Sequence, residues 1–149
     1  MKAIIYDNFD ADVVAKIFAQ EITRTLNMAA EAIAGGASGG EAVGIRSVFS
    51  HDSKGSGKPS PKGTPPGVDT GTLRRSFRTR PTRREGETIR VSAGTDVNYA
   101  MKHEFGIGTP QRPFMVQGIS SATPYIDRIF SALGPRIKIR CQNEAGPVS

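Results

Sequence analysis

The first long pattern in the chain is helical. Apolar side chains recur at Val14, Phe18, Ile22, Leu26, Ala29 and Ile33, while Lys16, Glu21 and Arg24 fall mainly off that stripe. Asp10 or Asp12 supplies the N-cap and Gly35-Gly36 the stop. A lone amphipathic helix is marginal in water, so the stripe is expected to pack on a sheet. Upstream, residues 2–6, KAIIY, read as a short strand or an ordered arm. Downstream the pattern lapses. Residues 35–68 hold nine of the 17 Gly and four of the ten Pro, a composition that gives little apolar area for the entropy of ordering it. Within it, only VGIRSVF at 43–49 has the makings of a strand or a helical turn, and 51–67 reads as loop. The 35–67 segment is expected to be a flexible arm that orders against a neighbour.

From Asp69 onward the period changes. Asp69 and Thr70 can cap a short helix over Thr72–Arg75. Residues 76–84 then alternate, with Phe77, Thr79 and Pro81 on one face and Arg78, Arg80 and Arg84 on the other. Glu85-Gly86-Glu87 forms the turn, and 88–94 returns with Ile89, Val91 and Ala93 inward and Arg90 outward. The spacing predicts a β-hairpin with an apolar face and an arginine face. Pro81 cannot donate to a ladder, so its strand is expected at an edge or at a bulge. Thr95 or Asp96 caps a short helix over Val97–Glu104, ended by Gly106. Pro113 opens a last helix to Leu133, kinked at Pro124 because the stripe Ile119, Ala122, Ile126, Ile129 or Phe130, and Leu133 keeps its phase across it. Gly134-Pro135 is expected to stop that helix. Residues 136–141 alternate as a further strand, and 142–149 form a flexible tail. The fold class is α+β, in one domain spanning 1–149.

Composition adds a localised charge. The chain has 20 basic against 14 acidic residues, +6 overall, and residues 74–90 alone carry seven Arg against two Glu. Charge concentrated in this way points to a contact surface. The single cysteine, Cys141, excludes an intramolecular disulfide and a multi-cysteine metal site, and points to a reducing interior. The acidic turn after residue 6 is unlike a signal peptide, no run approaches the roughly 18 apolar residues of a membrane span, and the first helix lacks the basic flank of a membrane-surface helix.

Little in the chain suggests catalysis. His51 lies in the loop, and His103 and Glu104, as helix neighbours, face different directions. Cys141 has cationic neighbours but no histidine placed beside it. No catalytic residue, metal ligand or cofactor is expected. The arginine face is the stronger signal. Positions 78, 80, 84 and 90 are all Arg, and a planar guanidinium fork suits phosphate or carboxylate. Two partners fit: nucleic-acid phosphates, or acidic residues of another subunit. No helix-turn-helix pattern or interleaved aromatics point to sequence-specific reading.

Four elements in order resemble the tail-completion or neck family of tailed-phage virion proteins. They are Val68-Asp-Thr-Gly-Thr-Leu-Arg-Arg-Ser76, Val91-Ser-Ala-Gly-Thr95, Tyr99-Ala-Met-Lys-His-Glu-Phe-Gly106 and Arg112-Pro-Phe-Met115. The motif residues are Asp69, Thr70, Gly71, Leu73, Ser76, Gly94, Tyr99, Glu104, Phe105, Gly106, Arg112, Pro113 and Phe114. The 35–67 loop is longer than the family pattern needs and the 136–149 tail is an addition. The resemblance implies a non-enzymatic virion protein, assembled in the host cytoplasm, that forms a homo-oligomeric and commonly six-fold ring around the DNA channel. Its implied partners are its own copies, head-closure or connector proteins, tail terminator or tail tube proteins, and DNA passing through the channel. On this view Tyr99, Phe105 and Phe114 anchor the two later helices to the sheet.

Overall fold

The computed structural model describes residues 10–35, 37–38, 41–49, 60–68 and 71–145. The arm at 2–6, the loop around His51, the caps Asp69 and Thr70, and the last four residues lie outside that range. The described elements are α1 (Ala11–Ala34), two-residue strands β1 (Ala37–Ser38) and β2 (Glu41–Ala42), a 3₁₀ helix (Ile45–Val48) and α2 (Thr72–Ser76). They continue with β3 (Arg78–Glu85), β4 (Thr88–Gly94), α3 (Ala100–Phe105), α4 (Met115–Ser131) and α5 (Leu133–Glu144). The described strands form two antiparallel hairpins, β1–β2 and β3–β4. The architecture is α+β, as the alternation of periods predicts.

Helix α1 begins where Asp10 accepts hydrogen bonds from the backbone N–H groups of Asp12 (3.0 Å) and Val13 (3.2 Å). It ends at Gly35, whose left-handed backbone lets its N–H reach the carbonyls of Glu31 and Ala32. The buried line of α1 is displaced from the predicted stripe. Ile17, Glu21, Thr25, Ala29 and Ala32 are buried, whereas Phe18 is 45% exposed. The helix packs on the β3–β4 hairpin and also on α4 and α5, so its contact side is broader than one stripe.

The centre of the core comes partly from the segment expected to be loop. Ile45 and Phe49, at either end of the 3₁₀ helix, are buried with Leu73, Phe77, Ala100 and Phe114. Three rings meet there: Phe114 lies 5.3 Å from Phe49 and 5.6 Å, edge-on, from Phe77. The 3₁₀ helix is held on α4 by two contacts that need small residues or hydroxyls. The Gly44 N–H donates to Ser121 Oγ at 2.8 Å. At Gly118 an added Cβ would fall 2.5 Å from the Ile45 Cα, a distance no side chain tolerates. Residues 60–68 run back along the turn after α3, with the Gly63 N–H donating to the Gln111 carbonyl at 2.9 Å.

The C-terminal region departs from the sequence expectation. Helix α4 continues through Pro124, losing the one N–H a proline lacks, and ends at Ser131. After Ala132 a second helix, α5, covers the residues expected to form a strand and the first part of the expected tail, as far as Glu144. Pro135 does not stop a helix; it lies in the first turn of α5, where no intrahelical donor is required. Residues 136–141 satisfy both periods, since Ile137 and Cys141, like Arg136 and Arg140, are four apart. Contacts across to α1 select the helix. Arg136 Nε and Arg140 Nη1 donate to the two carboxylate oxygens of Glu21 at 3.2 and 3.1 Å, and Arg136 Nη2 donates to Thr25 Oγ1 at 2.7 Å. Arg140 is further held by Glu144 one turn on, at 2.7 Å.

Candidate functional site

The β3–β4 hairpin turns at Gly86-Glu87. Gly86 takes φ +61° while no described non-glycine residue has positive φ, the combination a type II′ turn requires. Register then decides which arginines share a face, because residues directly opposite in an antiparallel pair point to the same side. Arg78 lies opposite Gly94, Arg80 opposite Ser92, Arg83 opposite Arg90 and Arg84 opposite Ile89. Between Arg80 and Arg83 the register slips, with Pro81 and Thr82 spanning the position of Val91 alone.

This bulge corrects the predicted face. The alternation places Arg84 beside Arg78 and Arg80, but the extra residue reverses the phase beyond it. Arg83 takes the outward position opposite Arg90, and Arg84 joins the Ile89 side, its Nε donating to the Gly86 carbonyl at 3.1 Å. The helix-facing side is fixed by two threonines on either side of Pro81. Thr79 Oγ1 donates to Glu31 Oε1 at 2.8 Å, and the Thr82 hydroxyl donates to Asn27, both on α1. Pro81 itself is the bulge expected for a proline in a strand.

The outward face therefore carries Arg78, Arg80, Arg83 and Arg90. Arg80 pairs with Asp96 at 2.7 Å and Arg90 with Glu85 at 3.2 Å, with every one of these side chains more than half exposed. Such solvated pairs are worth at most about 1 kcal/mol, so a phosphate or carboxylate can displace them. Arg78 and Arg83 have no ion pair among the described residues. Arg83 directly opposite Arg90 is an unfavourable placement in an isolated hairpin.

The other motif residues build the support for this hairpin. Gly71, at φ +75°, is the N-cap residue of α2, and the predicted caps Asp69 and Thr70 lie outside the described residues. Leu73 is buried in the core. Ser76 Oγ donates to the Leu73 carbonyl at 2.7 Å and also hydrogen-bonds the Thr95 hydroxyl, tying α2 to the far end of β4. Thr95 in turn accepts from the Val97 N–H at 3.1 Å, while α3 begins at Ala100 without a side-chain cap. Gly94 closes β4 in open space. Gly106 ends α3 at φ +70°.

Glu104 has the most specific task. Its side chain is buried, and Oε2 accepts from the N–H groups of Phe114 (2.8 Å) and Met115 (3.0 Å), the first residues of α4. A carboxylate from α3 thus serves as the cap that Phe114, at the N-cap position, cannot supply. Pro113 stands just before that cap, outside the helix it was expected to open. Arg112 is also buried, donating through Nε to the Ser60 carbonyl at 2.9 Å. His103 Nδ1 is buried and has no hydrogen-bond partner among the described residues; burial, then the Arg112 charge, holds the imidazole below its ordinary range, so the ring is neutral.

The aromatic anchors divide. Phe114 is fully buried, but Phe105 is 63% exposed and Tyr99 lies at the surface, edge-on to His103. The expectation that all three are core anchors fails for Tyr99 and Phe105; Phe114 is buried, but among Ile45, Phe49, Leu73, Phe77 and Ala100, none of which lies in β3 or β4. With Met101 and Ile107, both exposed, Phe105 forms an apolar surface around α3. Glu104→Ala is expected to cost about 2–3 kcal/mol by stranding two helix-terminal N–H groups, and Glu104→Gln about 1 kcal/mol. Urea unfolding followed by circular dichroism measures both, and equal stability of Glu104→Ala and the unaltered chain would remove the capping role.

No protein-family model, curated protein or solved structure matches the chain. No described helix is long and apolar enough to cross a membrane.

Proposed function

We propose that this chain is a virion structural protein of a tailed phage, acting at the head–tail junction as a homo-oligomeric ring, six copies being the expected number, around the DNA channel. The observation that carries the reading is the outward arginine face of the hairpin, where Arg83 opposes Arg90 and Arg78 and Arg83 have no ion pair among the described residues. A surface of this kind is completed by an anionic partner. The motif set supports the reading, because its separate pieces converge on one support for that face: the Ser76–Thr95 bond, the Leu73 and Phe114 core contacts and the Glu104 cap. Electron microscopy of particles lacking the protein tests it. Filled heads and finished tails that accumulate unjoined are expected; normally joined particles would falsify it.

The same arginine face favours a second reading, a basic nucleic-acid-binding module without a virion role. It requires binding to naked duplex DNA with a log–log salt slope of about −0.9 per neutralised phosphate. Arg78→Glu with Arg83→Glu is expected to abolish particle joining, or DNA binding under the second reading, while leaving the monomer folded. Arg84→Glu, on the opposite side of the hairpin, is expected to have a much smaller effect. If Arg84→Glu proves as damaging as the double variant, the outward face is not the contact surface.

A further inference from the structure

Helix α4 carries two apolar lines. Gly118, Ala122 and Ile129 are buried on the side where α4 meets the 3₁₀ helix and α1. Roughly a quarter turn round the helix, Val116, Ile119, Thr123, Ile126 and Phe130 recur at intervals of three, four, three and four, the spacing of a helix-pairing seam. Val116 is 65% exposed, Ile119 43% and Phe130 42%, while Thr123 is exposed and Ile126 half-buried. The stripe predicted through Ile119, Ala122, Ile126 and Ile129 is therefore divided between an inner and an outer side. The outer line is also symmetric about its midpoint. Val116 stands seven residues before Thr123 and Phe130 seven after it, with Ile119 four before and Ile126 three after.

We propose that α4 packs along this line, antiparallel, on α4 of a second copy of the chain, about a two-fold axis beside Thr123. The arrangement sets Val116 against Phe130 at both ends and Ile119 against Ile126 between them, so each end joins a small side chain to a large one. A parallel pair would stack Phe130 on Phe130 and Val116 on Val116, too wide at one end for the other to close. Charge selects the same geometry. Of the two charged residues of α4, Asp127 borders the line and Arg128 lies on the far side, its guanidinium 5.7 Å from the Tyr125 ring. Antiparallel packing places Asp127 beside Ser120 of the second copy and keeps the two carboxylates about 12 Å apart along the axis, beyond a Debye length at physiological salt. Parallel packing would bring them level. A seam of this length, about 21 Å, buries less than the roughly 1,200 Å² of stable interfaces, so the pair is expected to be weak, with a Kd of about 10⁻⁴ M. The contact uses none of the hairpin arginines, so it stands or falls independently of the virion and nucleic-acid readings.

Sedimentation equilibrium of the full chain, from about 10 μM to about 1 mM, reads the association. Dimer is expected to dominate at the top of that range, and a monomer throughout would overturn the proposal. Val116→Asp with Ile119→Asp is expected to weaken dimerisation at least tenfold, with the helical circular dichroism unchanged. A folded variant that dimerises as before would count against the contact. Cross-linking decides the geometry even if that variant fails to fold. In a Cys141→Ser background, oxidised in a glutathione buffer, Thr123→Cys is expected to bridge two chains at least tenfold faster than Gln117→Cys. Position 117 lies about 120° round the helix from 123, and a disulfide needs Cα atoms within about 7 Å. In an equimolar mixture, Val116→Cys and Phe130→Cys are expected to join to each other and not to themselves. Equal rates at 117 and 123 would mean that another surface holds the copies together, and like joined to like would mean parallel helices; either result overturns the proposal.

Discussion

Phe114→Ala is expected to remove about 4 kcal/mol of folding stability, whereas Phe105→Ala changes it by less than about 0.5 kcal/mol. The two residues belong to adjacent motifs and share a side chain, so the contrast isolates burial. The Phe114 ring is fully enclosed, with the Phe49 and Phe77 rings 5.3 and 5.6 Å away and Leu73 and Ala100 completing the cluster. Truncation there leaves a hole among the Phe49 and Phe77 rings and Leu73, and the close approach of Gly118 to Ile45 leaves α4 little room to shift against the 3₁₀ helix. Phe105 leaves only solvent. Chemical denaturation with a constant slope separates the two, and equal midpoints for the two variants would show that the three-ring cluster is not the centre of the fold. Loss of Phe114 also misplaces the Glu104 cap, so α4 is expected to fray first in hydrogen exchange.

Glu21→Ala is expected to cost about 3 kcal/mol, since it leaves Arg136 and Arg140 facing a hole where their shared carboxylate stood. The same group sets an acid limit. Burial alone raises the Glu21 carboxyl, but the hydrogen bonds and charges of Arg140 and Arg136 outweigh it and hold the group below its ordinary value of 4.5. A depressed carboxylate stabilises the fold in full above the unfolded value, and that stability is lost as pH falls through the folded one. His103 adds a separate loss at higher pH. Its imidazole is held below 6.5, so the unfolded chain takes up protons first as pH drops past that value. Denaturation midpoints are therefore expected to fall slightly from about pH 6.5 and steeply below about pH 4.5. Glu21→Gln should flatten only the second part, and an unchanged acid limb in that variant would remove Glu21 as its cause.

The sequence made the α+β class, the first helix, the hairpin turn and the Phe114 anchor legible, because each depends on a local period or a local cap. What it hid depends on distant partners. Glu21 lies off the apolar stripe of α1 and reads as a solvent-side charge until Arg136 and Arg140 are known to face it from α5. Those arginines in turn sit in an alternating run that resembles a strand, and only their four-residue spacing carries the helical alternative. Ile45 and Phe49 were hidden by the glycines and prolines around them, since composition averaged over 35–68 obscures two core residues. Phe105 departs from its expected burial for another reason. A six-residue helix buries one side, and Glu104, a charged residue, occupies it. On the candidate face the sequence pattern and the strand register differ in one member. Pattern alone places Arg84 outward, and a single inserted residue exchanges it for Arg83.

The bulge at Pro81 and Thr82 has an effect beyond choosing which guanidinium faces out. A two-stranded ribbon has two open edges, and an uninterrupted edge invites further strands to add by backbone pairing. Proline removes one donor from β3, the register slip breaks its ladder in mid-strand, and arginines flank both sides. Copies concentrated together would thus be unable to fuse their hairpins edge to edge into a continuous sheet. The local irregularity that re-aims the charge also keeps the ribbon from polymerising.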